Sequence, residues 1–374
     1  MATSLAPLAV LVIPDLSLSH AQMGMIMGAW QLVYIFSAVP SGMLLDRIGP
    51  RRALALGGLM IALSALARAF ADGYVTMMLA VMLFGLGGPV VSAGAPKVVM
   101  DLFTGSKRGL AMGIYMTGPA IGGIVSLTLT HPVLLPLFGN SWRGVMLAWA
   151  GFAAASAVLW YVLAGLRTAS RAAQSEGGSS LRIMGQLLTR STVLVVLVMS
   201  VCVFMFNHGL NNWLPELLRG TGMTAIEAGY WAAIPTVIGI AGSLLIPRLA
   251  TPERRFMILL GLSIMACGAS VLLRFEETPT LLSGLVLQGI ARSSLMTVLI
   301  LTLVELPEIG ERHAGTASGL FFSAAEVGGV MGPLMLGLLF DVSGTFDSGL
   351  SLLTLLSMVM VAGSILLQRR ARRA

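Results

Sequence analysis

Charge is scarce in this 374-residue chain: Asp, Glu, Lys and Arg make up 10% of it, where soluble domains carry about 25%. So few charges cannot clothe a water-facing surface, which excludes an ordinary soluble globule. Cysteine is nearly missing too. Cys202 and Cys267 both fall inside apolar runs, where they read as small core residues rather than a disulfide framework. No phosphate-binding loop is present: Gly85, Gly87 and Gly88 precede Pro89, but no Gly-Lys pair follows, so close helix packing explains them better. ATP is therefore not the expected driver. No His, Cys and carboxylate grouping has catalytic or metal-ligand spacing, and Glu305, Glu308, Glu311 and His313 share one loop as solvated charge. Neither an enzyme nor a resident cofactor or metal is expected.

What the chain has in abundance is apolar length. Hydrophobic residues reach 56%, in runs of about 20 residues, the number a helix needs to cross a bilayer core. In lipid every backbone amide must be paired within its own segment, so such runs are helices and the class is all-α integral membrane. The first six are read at 1–13, 21–45, 53–70, 74–99, 109–130 and 142–165. The second six are read at 191–213, 226–247, 256–273, 280–304, 314–340 and 347–367. Residues 166–190, with the stretch Glu-Gly-Gly-Ser-Ser, form the one long polar break. The reading is two bundles of six helices, 1–165 and 191–374, joined by that linker.

Basic residues assign the sides. Alternate loops carry Arg47, Arg51 and Arg52; Lys107 and Arg108; Arg167, Arg171, Arg182 and Arg190; Arg248, Arg254 and Arg255; Arg312; and the tail Arg369, Arg370, Arg372 and Arg373. The opposite loops hold only Arg143, Arg219 and Arg274. The positive-inside bias places both termini and the linker in the cytoplasm, and the chain in a cell inner or plasma membrane. The formal charge of +7 thus sets orientation, and nucleic acid is not an expected partner.

The two bundles echo each other, as the repeats of carrier folds do. Ala111, Gly113, Gly122 and Gly123 recur 206 residues later as Ala317, Gly319, Gly328 and Gly329. VIPDL at 12–16 answers WLPEL at 213–217. This alignment makes the first span look truncated at its N-terminal end, since its apolar residues reach only about 20 Å of a roughly 30 Å core. A native start upstream of Met1 is the expectation.

At the end of the second span stands GMLLDRIGPRR, residues 42–52. With Gly42, Asp46, Arg47, Gly49, Arg51 and Arg52 it resembles the signature of the major facilitator superfamily. KRGLAMG at 107–113 and SWRG at 141–144 are similar to further patterns of that family, so the resemblance covers essentially the whole chain. It implies twelve transmembrane helices in two pseudo-symmetric bundles and a solute carrier working by alternating access as a monomer. It also makes the 42–52 segment a conformational latch. In physical terms, Gly42 would let helices approach closely, and Asp46 would face the positive N-terminus of a neighbouring helix. The second bundle has Ile246 and Pro247 where the acid would sit, so its copy of the latch is degenerate. Val81 stands where many proton-driven exporters of the family carry Arg, which weakens a drug-antiporter reading. The opening PDLSLSHAQMG and the NNWLPELL segment are similar to the cyanate-permease-like and organic-anion branches.

Ionisable residues at mid-membrane are costly and usually functional. Arg292 in the tenth span and Glu326 in the eleventh qualify. The family arrangement would put Arg292 on the central path, where its forked guanidinium suits a carboxylate or similar oxyanion. Glu326 admits two readings: a coupling group for a proton, or a structural partner that neutralises Arg292. In FNHGLNNW, residues 206–213, Asn207 and Asn211 share one helix face and His208 and Asn212 another. Asn207 and Asn211 are candidates to hydrogen-bond the solute, against the alternative of helix-to-helix glue. Gln31, Tyr34 and Tyr115 complete the candidate polar lining. Lys97 and Arg68 near span ends are expected to snorkel to the interface and are left out of the site.

The expected function is secondary transport of a small anionic solute through a lipid bilayer, with a proton as a candidate coupling ion. Two alternatives stay open: a non-transporting membrane sensor or assembly protein on the same fold, and an efflux pump for neutral or cationic compounds.

Overall fold

A computed structural model describes residues 1–165, 187–304 and 310–371, apart from the side chains of residues 100, 105, 106, 108–110, 116, 247, 248, 310–316 and 371. Glu305 and Glu308, the side chains of Glu311 and His313, and most of the expected linker (166–186) lie outside the described residues. All described regular structure is helical. After a 3-10 turn at Ala6–Leu8 come α1 (Ala9–Asp15), α2 (His20–Ala69), α3 (Tyr74–Leu102) and α4 (Gly105–Leu129). A π-helical turn at Thr130–Leu134, α5 (Leu135–Leu137) and α6 (Trp142–Gly165) follow. The rest comprises α7 (Ser191–Gly220), α8 (Ala225–Leu249), α9 (Arg255–Leu272), α10 (Thr278–Val304), α11 (Gly310–Ser343) and α12 (Asp347–Ala371).

Ten of these helices are long and apolar enough to cross a membrane, and Ala6–Asp15 is a shorter apolar helix. At 50 residues α2 is about 75 Å long, more than twice the bilayer core, so it carries two spans in one element. The break between them is Gly49, whose backbone is non-helical at φ 77°, ψ 160°. Pro50 crowds the preceding residue out of the helical region, and this φ/ψ combination is open to glycine and strained for other residues. The second and third expected spans are thus one kinked helix with no loop between them.

The chain divides into two compact units, Met1–Glu176 and Gly177–Ala374. In the first, α2 packs against α3 and α6. The close approach of α2 and α3 uses missing side chains: a Cβ at Gly85 would fall on the Trp30 carbonyl, and one at Gly87 on the Gly57 carbonyl. This is the packing role expected for Gly85 and Gly87, whereas a Cβ at Gly88 would meet only the Phe84 ring of its own helix, at 3.6 Å. In the second unit α7 pairs with α11, α8 with α10, and α9 with both α10 and α12. The α7–α11 contact follows a small-xxx-small pattern, because Cβ atoms at Gly328 and Gly332 would meet the backbone carbonyls of Val201 and Met205. Trp213 closes the same pair by donating its Nε1–H to the Pro333 carbonyl at 2.8 Å.

Candidate functional site

In the second unit the polar centre is set by α8 and α10. Small residues let their backbones approach: a Cβ at Gly289 would meet the Pro235 carbonyl, and the Ser294 hydroxyl donates to the Gly242 carbonyl at 3.2 Å. One turn on from Gln288 and three residues past Gly289, Arg292 reaches across the joint, its Nη1 donating to Thr236 Oγ1 at 3.4 Å. From α7, Asn207 donates Nδ2–H to the Arg292 backbone carbonyl at 3.5 Å, a long bond at the edge of the useful range. Among the described residues Arg292 forms no ion pair. The guanidinium therefore keeps most of its five donors free for something else.

In the same unit several buried acceptors and donors are unserved. Asn207 Oδ1, both amide atoms of Gln288, and Glu326 Oε2 have no hydrogen-bond partner. Gln288 is 0% exposed and Glu326 7%. Each such atom costs about 1–3 kcal/mol when left bare, so a set of them calls for water, a proton or a ligand. Asn211 is half-buried on the same helix as Asn207. The neighbouring pair turns to local structure. Asn212 donates to the His208 carbonyl at 2.9 Å, and the His208 ring packs on Phe204 at 5.4 Å. Of the two readings open for Glu326, the one that makes it the neutralising partner of Arg292 has no ion pair to support it.

In the first unit Tyr34 and Tyr115 converge on α3. The Tyr34 hydroxyl is 3.1 Å from Ser92 Oγ, and the Tyr115 hydroxyl donates to the Ser92 carbonyl at 3.5 Å. Gln31, one turn before Tyr34, is fully buried. It therefore belongs to the packing of α2 at least as much as to any polar lining.

The family profile described as Major Facilitator Superfamily matches residues 1–333. The chain belongs to the major facilitator superfamily. As a member it is a multi-pass membrane transporter rather than an enzyme. It is similar to a hexuronate transporter of Bacillus subtilis (strain 168), 24% identical over 350 residues that cover 89% of this chain and 82% of that one. It is also similar to a probable galactarate/D-glucarate transporter, GudP, of the same organism, 22% identical over 94% of this chain and 86% of the relative. Among solved structures, a point mutant of the nucleoside transporter NupG matches its fold with a TM-score of 0.81 at 13% identity, over 98% of this chain and 95% of that one.

The superfamily signature at 42–52 is built differently from the expectation. Asp46 pairs with Lys97 Nζ on α3 at 2.5 Å. Lys97 is thus an ion-pair partner within the first unit, and the snorkelling expectation is corrected. Arg51 lies against α6, donating Nε–H to the Tyr161 carbonyl at 3.0 Å with its guanidinium 4.3 Å from that ring, and Trp160 donates back to the Arg51 carbonyl at 3.2 Å. Arg47 and Arg52 are exposed. A Cβ at Gly42 would meet nothing within 4 Å, so the close approach expected there is not found, whereas Gly49 is required by its backbone angle. Arg68 also departs from expectation. It is 1% exposed and donates to the Met1 carbonyl at 3.3 Å and Ser4 Oγ at 3.2 Å, instead of reaching an interface.

Thr236, Gln288 and Ser92 went unnoticed in the sequence. Gln288 had a signal, since it is four residues before Arg292 and shares its helix face. For Thr236 and Ser92 there was none, because a hydroxyl in an apolar run looks alike whether it faces a neighbour or a guanidinium.

Proposed function

We propose that this chain is a secondary carrier for a small organic anion of the sugar-acid class, moved by alternating access, with Arg292 holding a carboxylate of the solute. The observation that carries the reading is the guanidinium of Arg292. It is set within a span beside the hydroxyl of Thr236, has no ion-pair partner among the described residues, and stands near the bare amide of Gln288 and the bare Oδ1 of Asn207. A planar fork of donors binds a carboxylate bidentately, while amides and hydroxyls serve the hydroxyl groups such a solute carries. Relatives named as hexuronate and galactarate/D-glucarate transporters, similar over most of this chain, support the same class.

In this reading Glu326 is the proton-coupling group, since its buried Oε2 awaits a partner, and Asn211 joins Asn207 on the solute face of α7. Tyr34 and Tyr115, joined through Ser92, are a second polar cluster of the same carrier. Asp46 and its neighbours in the 42–52 segment act as the latch. The two units work as six-helix bundles of one functional monomer, with both termini on the cytoplasmic side of the inner membrane, as the basic loops favour.

The test is counterflow of a hexuronate and of D-glucarate in proteoliposomes. Losing the charged hydrogen bonds of Arg292 costs about 1.5–3 kcal/mol, so Arg292→Ala should cut kcat/KM by roughly tenfold to a hundredfold. Arg292→Lys keeps the charge without the fork and should fall between. Unchanged kinetics in Arg292→Ala, with the protein folded, removes this residue from the site. Reporter fusions at each terminus test the orientation.

A further inference from the structure

A second ligand site lies away from Arg292, on the joint of α9 and α12. These helices run antiparallel in a register fixed by hydroxyl pairs: Ser263 Oγ is 3.3 Å from Ser364 Oγ, Ser270 Oγ is 2.9 Å from Thr354 Oγ1, and Arg274 donates to Ser351 Oγ at 3.2 Å. Beside that seam an open crevice of about 630 Å³ is lined by Ile264, Cys267 and Val271 of α9 and by Met358, Val361 and Ile365 of α12. Its walls are apolar over about 12 Å of helix, from Ile264 to Leu272, inside two segments that span the membrane.

Basic residues lie beyond one end of this crevice, Arg369 about a turn past its lining and Arg254 about 15 Å of helix before Ile264. The register that sets residue 263 against residue 364 brings the start of α9 level with the end of α12. Arg369 stands one turn, about 6 Å, beyond Ile365. Arg254 caps α9, and both it and Arg369 are exposed. Two neighbouring arginines are committed to the protein: Arg370 donates to Ser191 Oγ at 2.8 Å, and Arg255, buried, donates to the Leu301 carbonyl at 3.5 Å. Glu253 is the acid beside them. The Thr251 hydroxyl that bonds it holds its carboxyl below the usual carboxylate range, so it offsets one positive charge and leaves the end cationic. The N-terminus of α9, an 18-residue helix, adds its positive dipole end at the same level.

We propose that the α9–α12 crevice binds an anionic phospholipid of the bilayer, with an acyl chain in the apolar crevice and the phosphate at Arg254 and Arg369. An apolar slot in a membrane helix pair accepts any acyl chain, so the arginines supply the choice among lipids. Each basic residue near a membrane surface favours an anionic headgroup by roughly fivefold.

Native mass spectrometry of the full chain, released from micelles holding equal amounts of phosphatidylglycerol and phosphatidylcholine, tests this directly. Wild type should retain phosphatidylglycerol at least roughly fivefold over phosphatidylcholine. Arg254→Gln with Arg369→Gln should abolish that preference while leaving phosphatidylcholine retention as it was. Ala362→Trp, an exposed crevice position, should lower retention of both lipids, and Ala362→Leu should do so more weakly if the larger residue disturbs folding. Equal retention of the two lipids by wild type overturns the proposal, as does a preference that survives the double substitution. Retention unaffected by filling the crevice also overturns it. A dimer present in wild type and lost in Ala362→Trp would mean that a second copy of this chain, and not a lipid, fills the site.

Discussion

Both units leave some buried polar atoms bare, among them Arg68 Nε, Ser126 Oγ and Trp149 Nε1 in the first, but they hold their charged groups differently. In the first, most charges near or within the spans have found partners: Lys97 with Asp46, Arg143 with Asp15 at 2.5 Å and with the Ala71 carbonyl at 3.1 Å, and Arg68 with Met1 and Ser4. In the second, Arg292 has one weak contact to a hydroxyl, and Gln288, Asn207 and Glu326 each leave atoms unserved. Pairing offsets the desolvation cost of a charge, whereas a buried charge kept unpaired costs stability that a bound ligand can offset. Under the proposed function, the difference would give Arg292 to recognition, while Lys97, Arg143 and Arg68 of the first unit serve its own packing.

The sharpest way to break this comparison uses the sequence echo itself, because Gly122 and Gly328 occupy equivalent places 206 residues apart. In the second unit a Cβ at Gly328 falls on the Val201 carbonyl, backbone that cannot rotate away. In the first, a Cβ at Gly122 meets nothing within 4 Å. Gly328→Val should therefore destabilise by about 3 kcal/mol or more through overpacking, seen as loss of folded protein or a clear fall in Tm. Gly122→Ala should change stability by less than about 1 kcal/mol, in the favourable direction expected of Ala over Gly in a helix. Equal damage at both positions would show that the two units pack alike.

A subtler substitution separates recognition from packing. Gln288→Leu replaces two unserved amide atoms with a side chain of similar size. Removing an unsatisfied buried polar group should hold or raise stability, by up to about 1–3 kcal/mol, while solute uptake falls. A variant that loses stability along with uptake would make Gln288 a structural amide, and the contrast between the units would narrow.

How far the sequence alone reached follows from the range of the interactions involved. Lipid demands about 20 apolar residues per crossing, so the spans and their number stood out plainly. Arg292 and Glu326 were equally visible, because a charge in the middle of such a run is costly and rare. What escaped were pairings across helices. Lys97 looked like a snorkelling residue because its partner Asp46 lies 51 residues away, and Arg68 looked the same because its acceptors lie 64 and 67 residues away. Gly49 carried a local signal in the proline after it, yet a loop was read where the helix only kinks. The joining of Arg292 to Thr236 depends on Gly289 letting α10 close on α8, a distance that no single-helix pattern encodes.

The smallest expected effect tests the other side of the contrast. Asp46 and Lys97 are 42% and 22% exposed in their side chains, so solvent screens their attraction, and the pair should contribute no more than about 1 kcal/mol. A double-mutant cycle on Asp46→Asn and Lys97→Met, read by thermal denaturation, should return a coupling within that limit. The second unit has Ile246 at the corresponding position and no acid. Placing Asp there, as Ile246→Asp, should therefore add no stabilising coupling, because the partner that makes Asp46 useful is Lys97 on α3. If the cycle instead returned several kcal/mol, Asp46 and Lys97 would hold the first unit together in their own right. Their role would then belong with Arg143 and Asp15 as a brace, and the latch reading of residues 42–52 would lose its energetic basis, since a contact that strong resists being opened and remade in each transport cycle.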